Sequence, residues 1–456
     1  MKLVILGGGG FRVPLVYEAV ATRAVGDVPI SDIVLFDESA TRLDAIMRVI
    51  SGRAAELPRP EEAPRVTVTT DLDEALVGAD FVFAAVRVGG AQARTIDERV
   101  ALDLGLLGQE TVGPGGLAYA LRTIPVMRDI ARAIARIAPN AWTINFTNPA
   151  GIVTQVMREV LGDRVVGICD TPIGLVRRVS RVLGASLDDE RVDYDYVGLN
   201  HLGWLRSVAV DGVDRLPGLL ADDAALDHIE EARLIGKDWV RATGALPNEY
   251  LYYYWHTADA IEHIRASGET RGTWLARQQG AFYDAVADPC CDSPLAVWRS
   301  SLSERESTYM AEARDDERRP EDVAGGGYQE VALRLMSALA TGVPARMILD
   351  VGNGDIVPAL PSETVIEVGC DVGADGIRPR AVAPVGLADL GLMARLRASE
   401  TAIADAALTG NLDRAWEGFS NHPLVDSPTL GRQLLAGYLT NSPAVARVFG
   451  LDPANT

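Results

Sequence analysis

Residues 2–14 read KLVILGGGGFRVP. Five strand-forming residues, Lys2 to Leu6, run straight into four consecutive glycines, and an apolar helical pattern follows over 14–24. Strand, glycine turn and helix in this order form a βα unit. Glycines let the backbone approach a pyrophosphate, whose charge then sits at a helix N-terminus. The usual dinucleotide fingerprint places a third small residue at position 12, where this chain has Arg12, so the turn alone is an incomplete signature. A second apolar strand at 33–36 ends at Asp37, where an acid would accept hydrogen bonds from an adenosine ribose. Asp37 also reads as an ordinary strand terminus. Taken with the glycines it favours NAD over NADP, because an acid repels a 2′-phosphate. The expected cofactor contacts are therefore Gly7, Gly8, Gly9, Gly10, Phe11, Arg12 and Asp37.

Further short apolar runs at 66–68, 81–86, 141–146 and 165–168 alternate with helical patterns such as 121–137. This alternation specifies an α/β fold with a Rossmann-like, doubly wound parallel sheet. From about Tyr194 the pattern changes. YDYVGLNH and LRSVAVDG read as antiparallel strands, with helices expected over 234–287 and from 392 onward. The expected division is a nucleotide-binding domain over 1–193 and an α+β domain over 194–456 for substrate, metal and oligomer contacts. The stretch 108–116, GQETVGPGG, reads as a mobile or substrate-covering loop because of its four glycines and proline.

The strand at 165–168 delivers Cys169 to the carboxyl end of the sheet, where open α/β folds bind ligands. Asp170 and a proline that opens a new helix follow it. His201, in GLNHLGW, is the natural partner, because a thiolate and an imidazole suit a borderline divalent ion with positions left open for substrate oxygens. Two ligands are too few for a structural zinc site. Alone, these two residues read more readily as a small core cysteine and a satisfied polar histidine. Arg94 lies past the glycines that follow the strand at 81–86, and Asn148 ends the strand at 141–146 with both a donor and an acceptor. Each has a plain structural alternative, a solvated surface charge for Arg94 and a helix cap for Asn148.

With 63 acidic against 43 basic residues and a formal net charge of −20, the chain is a poor partner for nucleic acid or an anionic membrane. Any anionic substrate has to be held by local arginines. Four cysteines (Cys169, Cys290, Cys291 and Cys370) make no disulfide framework in a chain of this length. The sequence opens on a strand rather than a basic, apolar leader, and no apolar run approaches the roughly 18 residues of a membrane span. A cytoplasmic protein is expected.

The motifs RVGGAQARTIDER, GQETVGPGGLAYALRTIPV, NFTNPAGIVT, GICDTPIG and GLNH, in this order and spacing, resemble the NAD- and divalent-metal-dependent glycoside hydrolases of family 4, closest to the 6-phospho-β-glucosidase branch. The resemblance spans nearly the whole chain and is most specific over 87–201. It implies a first domain like that of lactate and malate dehydrogenases. It also implies metal ligation, typically of manganese, by Cys169 and His201, and substrate contacts from Arg94, Asn148 and Arg271. Tyr250, first of the tyrosines in NEYLYYYW, matches the catalytic base, although such a cluster by itself reads as an aromatic core patch. Asp170 matches the general acid of α-specific members, whereas β-specific members have Asn there, so the anomeric assignment divides between the two branches. The implied reaction is hydrolysis of a 6-phosphorylated disaccharide or glucoside to glucose 6-phosphate. It proceeds by transient oxidation at C3, loss of the C2 proton, elimination of the C1 group, addition of water and return of the hydride. These enzymes are an exception to the two-carboxylate scheme of glycoside hydrolysis. A homodimer or homotetramer is expected. The competing readings are a 6-phospho-α-glucosidase and a hydroxyacid or polyol dehydrogenase that consumes NAD.

Overall fold

The alternating apolar runs fold into one sheet. In the computed structural model, which describes residues 1–451 apart from 24, 25, 27, 188, 311–318, 320, 321 and 323–326, six strands form its first half. They are β1 (Lys2–Leu6), β2 (Asp32–Phe36), β3 (Arg65–Thr69), β4 (Phe81–Ala84), β5 (Trp142–Asn145) and β6 (Val165–Gly167). All pair in parallel, in the order β3-β2-β1-β4-β5-β6. That is the strand order of a dinucleotide-binding α/β fold, with its crevice outside the carboxyl ends of β1 and β4. Leu3, Val4, Ile5 and Leu6 are fully buried because helices cover both faces of β1. Burying each such side chain is worth about 1.5–3 kcal/mol.

The second half continues the same sheet. It contributes β7 (Val192–Leu199), β8 (Leu202–Val210), β9 (Val213–Asp214), β10 (Leu246–Pro247), β11 (Ala345–Gly352), β12 (Val365–Gly373) and β13 (Gly376–Pro379). β11 pairs antiparallel with β6, at Asp350 opposite Gly167, and β12, β7, β8 and β10 follow outward. The strands β7 and β8 form the hairpin expected from YDYVGLNH and LRSVAVDG. By contrast, β11 and β12 were not anticipated. Helices occupy Arg271–Ala287 and Pro294–Ser307, and Leu387–Thr409 begins the C-terminal helical layer.

One expectation is corrected. The stretch 108–116 is a loop only as far as Gly113. Pro114 opens the long helix Pro114–Ile137, while Gln109 and Glu110 of the preceding turn are half-buried and line the cavity at the carboxyl ends of the strands. Gln109 Oε1 accepts the N–H groups of Thr111 and Val112, each at 2.7 Å. A Cβ on Gly115 would stand 2.4 Å from the carbonyl oxygen of Gln109, and one on Gly116 would stand 2.1 Å from that of Thr111. These glycines serve close packing of the turn against the helix it starts.

Candidate functional site

One cavity of about 500 Å³ opens at the carboxyl ends of the parallel strands and reaches into the second half of the chain. Its inner end is built on three chain reversals. After β6, Ile168 N–H bonds to Asn145 O at 3.0 Å, which holds the strand in the sheet up to Cys169. Asp170 then occupies the N-cap position of the helix Thr171–Val182 without a capping bond from its side chain. Between β7 and β8 only Asn200 and His201 remain to turn the chain, and His201 takes a left-handed φ of 62°. Gly198 and Gly203 face each other across this hairpin so closely that a Cβ on Gly198 would lie 2.3 Å from the Cα of Gly203. The third reversal is a single turn at Glu249–Leu251, begun by Asn248, whose side chain accepts the Tyr250 N–H at 3.0 Å.

The three reversals meet. The Tyr250 ring lies flat on the His201 imidazole, with centroids 3.8 Å apart and planes inclined by 13°. His201 Nδ1 is 3.0 Å from Thr111 Oγ1, while Nε2 has no hydrogen-bond partner among the described residues. Burial lowers the His201 pKa to about 4 against the opposing pull of Glu110, so the imidazole is neutral at pH 7, as ligation requires. Cys169 Sγ is 3.3 Å from Thr171 Oγ1, which also accepts a bond from Asn248 Nδ2 at 2.8 Å. Burial first, then Glu367 and Asp170, push the Cys169 thiol well above its ordinary value. Such surroundings penalise a bare thiolate and favour a cation that would neutralise it, so the donor set fits a divalent metal. Among the described residues no group of three or more His, Cys, Asp or Glu side chains is placed to enclose one. The remaining positions would be left to ligands from outside the chain.

The Tyr250 hydroxyl is 3.2 Å from that of Tyr309, and the Tyr309 hydroxyl donates to Glu249 Oε1 at 2.8 Å. Burial, then Glu249 and Cys169, raise the Tyr250 pKa well above 10. Asp170 faces the same cavity, as do Arg94, Asn148 and Arg271. Arg94 is not a solvated charge. Its Nε donates to Glu98 Oε1 at 2.7 Å and its Nη1 to Glu110 Oε2 at 2.6 Å. Glu110 pairs with Arg87 as well, and the two guanidiniums overcome burial to bring its carboxyl down to about 2. Arg271 stands at the start of its helix, which is tied to the first half by Gly272 N–H bonding to Glu98 Oε2 at 2.8 Å. Asn148 Oδ1 accepts the Ala150 N–H at 3.3 Å, so its cap and its place in the cavity wall are compatible.

At the outer end lie Gly7, Gly10, Phe11 and Arg12. Gly7 has a φ of 84°, and a Cβ there would strike Ala85 O at 2.4 Å. The N–H groups of Phe11 and Arg12 find no acceptor among the described residues, which leaves a pair of donors at a helix start for a phosphate. Gly8, Gly9 and Asp37 stand behind this turn rather than in the cavity wall. Gly8 packs on Leu35, and the Gly9 N–H bonds to Asp37 Oδ2 at 3.1 Å. Asp37 also accepts the Ser39 N–H at 3.0 Å and keeps lone pairs for a ribose. The turn therefore fits a dinucleotide.

Sequence reasoning missed Glu110, Glu249, Tyr309, Arg305 and Glu367. Glu249 adjoins Tyr250 and could have been suspected. Tyr309 and Glu367 arrive from distant segments that carry no motif of their own. Glu367 accepts from Tyr196 at 2.9 Å and from Asn200 at 3.3 Å, directly behind the hairpin that bears His201.

Two family models match the chain, "Family 4 glycosyl hydrolase" over residues 2–185 and its C-terminal domain over 196–425. A "Probable 6-phospho-beta-glucosidase" of Bacillus subtilis (strain 168) is 30% identical over 446 residues, 95% of either chain. A "Maltose-6'-phosphate glucosidase" of the same organism is 28% identical, covering 95% of this chain and 94% of that one. Among solved structures, a 6-phospho-alpha-glucosidase from gut microorganisms in complex with NAD and Mn2+ superposes with a TM-score of 0.78 at 27% identity, over 97% of this chain and 98% of that one. Motif order, sheet topology and these matches over nearly the full length agree, and the chain belongs to family 4 of the glycosyl hydrolases.

Proposed function

We propose that this enzyme hydrolyses 6-phospho-β-glucosides to glucose 6-phosphate with NAD and a divalent metal, manganese by likeness to its relatives. The observation that carries the reading is the single cavity joining the glycine turn to Cys169, His201 and Tyr250. A hydrolase using two carboxylates has no need of a dinucleotide turn opening onto its reacting centre. When bound, NAD+ takes and returns a hydride at C3, while the metal acts as a Lewis acid that makes the C2 proton easier to remove.

The chain's own residues do the rest. Cys169 and His201 would hold the metal, and residues 1–193 carry the dinucleotide and share the sugar, through Arg94, Asn148 and Asp170, with Tyr250 and Arg271 of 194–456. Tyr250 passes its hydroxyl proton to Tyr309 as Tyr309 passes its own to the Glu249 carboxylate, and the resulting phenolate takes the C2 proton. The C2–H electron pair becomes the C1–C2 double bond, the C1–O bond breaks, and Asp170 protonates the departing oxygen. Water then adds at C1, giving a proton to Asp170, and Tyr250 returns a proton to C2. Stacking on His201 fixes the Tyr250 ring, and Tyr309 with Glu249 orients its hydroxyl. Asn148 contacts the sugar, and Arg94 and Arg271 lie towards its phosphate.

Asp170 gives a second reading its footing. A carboxyl group next to the metal cysteine suits protonation of the leaving oxygen of an α-glucoside, and relatives of both anomeric preferences match over 95% of the chain. The test is a product assay on paired α- and β-linked 6-phosphoglycosides with NAD+ and Mn2+ present. Preferential turnover of the β-linked member with catalytic NAD+ supports the proposal, preference for the α-linked member supports the second reading, and stoichiometric NADH would make the enzyme a dehydrogenase.

A further inference from the structure

The arginines around the cavity are not equivalent. Arg87 and Arg94 are paired with Glu110, and Arg94 with Glu98 besides. Arg12 and Arg305 form no ion pair with any described residue, although both line the cavity. The Arg12 Nε is buried without a hydrogen-bond partner. Arg305 lies on the helix Pro294–Ser307, which is fastened to the glycine turn by Trp298 Nε1 donating to Phe11 O at 2.8 Å. Seven residues on, and so on the same helical face, the Arg305 guanidinium stands 5.7 Å from the Phe11 ring centroid. On the other side, Tyr328 donates to Arg12 O at 3.0 Å, with the Arg12 guanidinium 5.7 Å from its ring. Two cations without an ion-pair partner among the described residues thus stand beside the turn, where the Phe11 and Arg12 N–H groups find no acceptor among those residues.

Arg12 and Arg305 are both half-buried, and like charges held close together in such a place are costly unless a counter-charge arrives. Burial first, then Arg12, Arg87, Arg271 and Arg94, depress the Arg305 pKa well below its ordinary value. Guanidinium forks match phosphate oxygens geometrically, and backbone amides at a helix start complete such a site. We propose that Arg12 and Arg305, contributed by the two halves of the chain, form a clamp for a phosphate oxyanion at the mouth of the glycine turn. The clamp rests on the proposed function only for which phosphate fills it, the diphosphate of the dinucleotide or the phosphate ester of the sugar.

Calorimetric titration of the full chain distinguishes the two. NAD+, glucose 6-phosphate in the presence of NAD+ and Mn2+, and inorganic pyrophosphate are each titrated into the parent protein, Arg305→Gln and Arg305→Lys. Losing a charge-assisted phosphate contact weakens binding by about 10- to 100-fold. That loss is expected in Arg305→Gln, with a smaller one in Arg305→Lys, which keeps the charge but not the fork. Loss confined to NAD+ assigns the clamp to the diphosphate, loss confined to glucose 6-phosphate assigns it to the sugar, and loss of both makes it shared. Unchanged affinity for all three ligands overturns the clamp. If the parent binds neither NAD+ nor glucose 6-phosphate, the functional reading fails, and pyrophosphate binding alone then decides whether Arg305 belongs to an anion site. Unliganded melting temperatures identify a variant that has not folded, and Arg305→Lys carries the comparison if Arg305→Gln is that variant.

Discussion

The phenol of Tyr250 lies parallel to the imidazole of His201 at a centroid distance of 3.8 Å, so the proposed base and one proposed metal ligand position each other. Tyr250→Phe keeps the stack and removes only the hydroxyl. Turnover is expected to fall by roughly 10²–10⁴-fold, the usual worth of a positioned base. Metal affinity should stay within about twofold. In deuterated water the parent enzyme should place deuterium at C2 of the released glucose 6-phosphate, and the variant should do so only as slowly as it turns over. Product without C2 deuterium from the parent enzyme would defeat the elimination route.

The Tyr309 hydroxyl joins Tyr250 to Glu249. Tyr309→Phe breaks this chain without touching the His201 stack. A fall of roughly tenfold in kcat, about one hydrogen bond's worth, is expected with little change in KM for the phosphorylated substrate. A change confined to KM would mean that Tyr309 serves substrate binding instead.

Cys169→Ser replaces a thiolate donor with a hydroxyl that stays protonated. Substitutions of outer groups around metal sites already cost 10–100-fold in affinity. Loss of a ligand where the chain offers two should therefore exceed about 100-fold in Mn2+ affinity, measured by equilibrium dialysis against the parent. Undiminished Mn2+ binding would remove Cys169 from the site.

Gly7→Ala should abolish dinucleotide binding or the fold of the turn. Its φ of 84° disfavours any Cβ, and the added carbon would stand 2.4 Å from the Ala85 carbonyl oxygen. A variant binding NAD+ as tightly as the parent enzyme would contradict the geometry of this turn.

His422 makes stability depend on pH. It is 1% exposed, and its Nδ1 accepts the Leu424 N–H at 3.1 Å, so the folded chain holds it neutral. Burial, with help from Arg395, lowers its pKa from 6.5 to about 3. Between those values the unfolded chain binds more protons than the folded one, so stability rises with pH across that window and falls as acid is added. The slope approaches 1.4 kcal/mol per pH unit at most. His422→Gln should flatten the denaturant-measured profile from about pH 6.5 downward, and an unaltered slope would show that other groups govern it.

Local patterns announced the first half of the fold. The run Lys2–Leu6 and the glycines behind it are written in adjacent residues, and β1 has the bounds expected from them. The places of Cys169 and His201 on the cavity wall were legible for a similar reason, since each ends or joins a readable strand. Glu110 lies within a motif but acquires its meaning only from Arg87 and Arg94 across the cavity. The ion pairs of Arg94 were only half legible, because Glu98 is one helical turn away in sequence but Glu110 is not. β11 and β12 escaped notice because they are buried on both faces and show no alternation, and Asp350 and Glu367 interrupt them with carboxylates. The glycines of 108–116 looked like a hinge because composition cannot distinguish freedom of the backbone from crowding around it.

The pairing of Asp350 with Gly167 joins the last parallel strand to the first antiparallel one. The two family signatures meet near residue 190, yet they are inherited as parts of a single ladder rather than as beads on a string. A chimera that borrows its second half from a relative would have to bring a β11 edge matched to this β6, two residues before Cys169. Recombination at the apparent boundary is thus constrained by a strand some 150 residues downstream, and shuffling of halves between α- and β-specific lineages would be tolerated only where that seam is preserved.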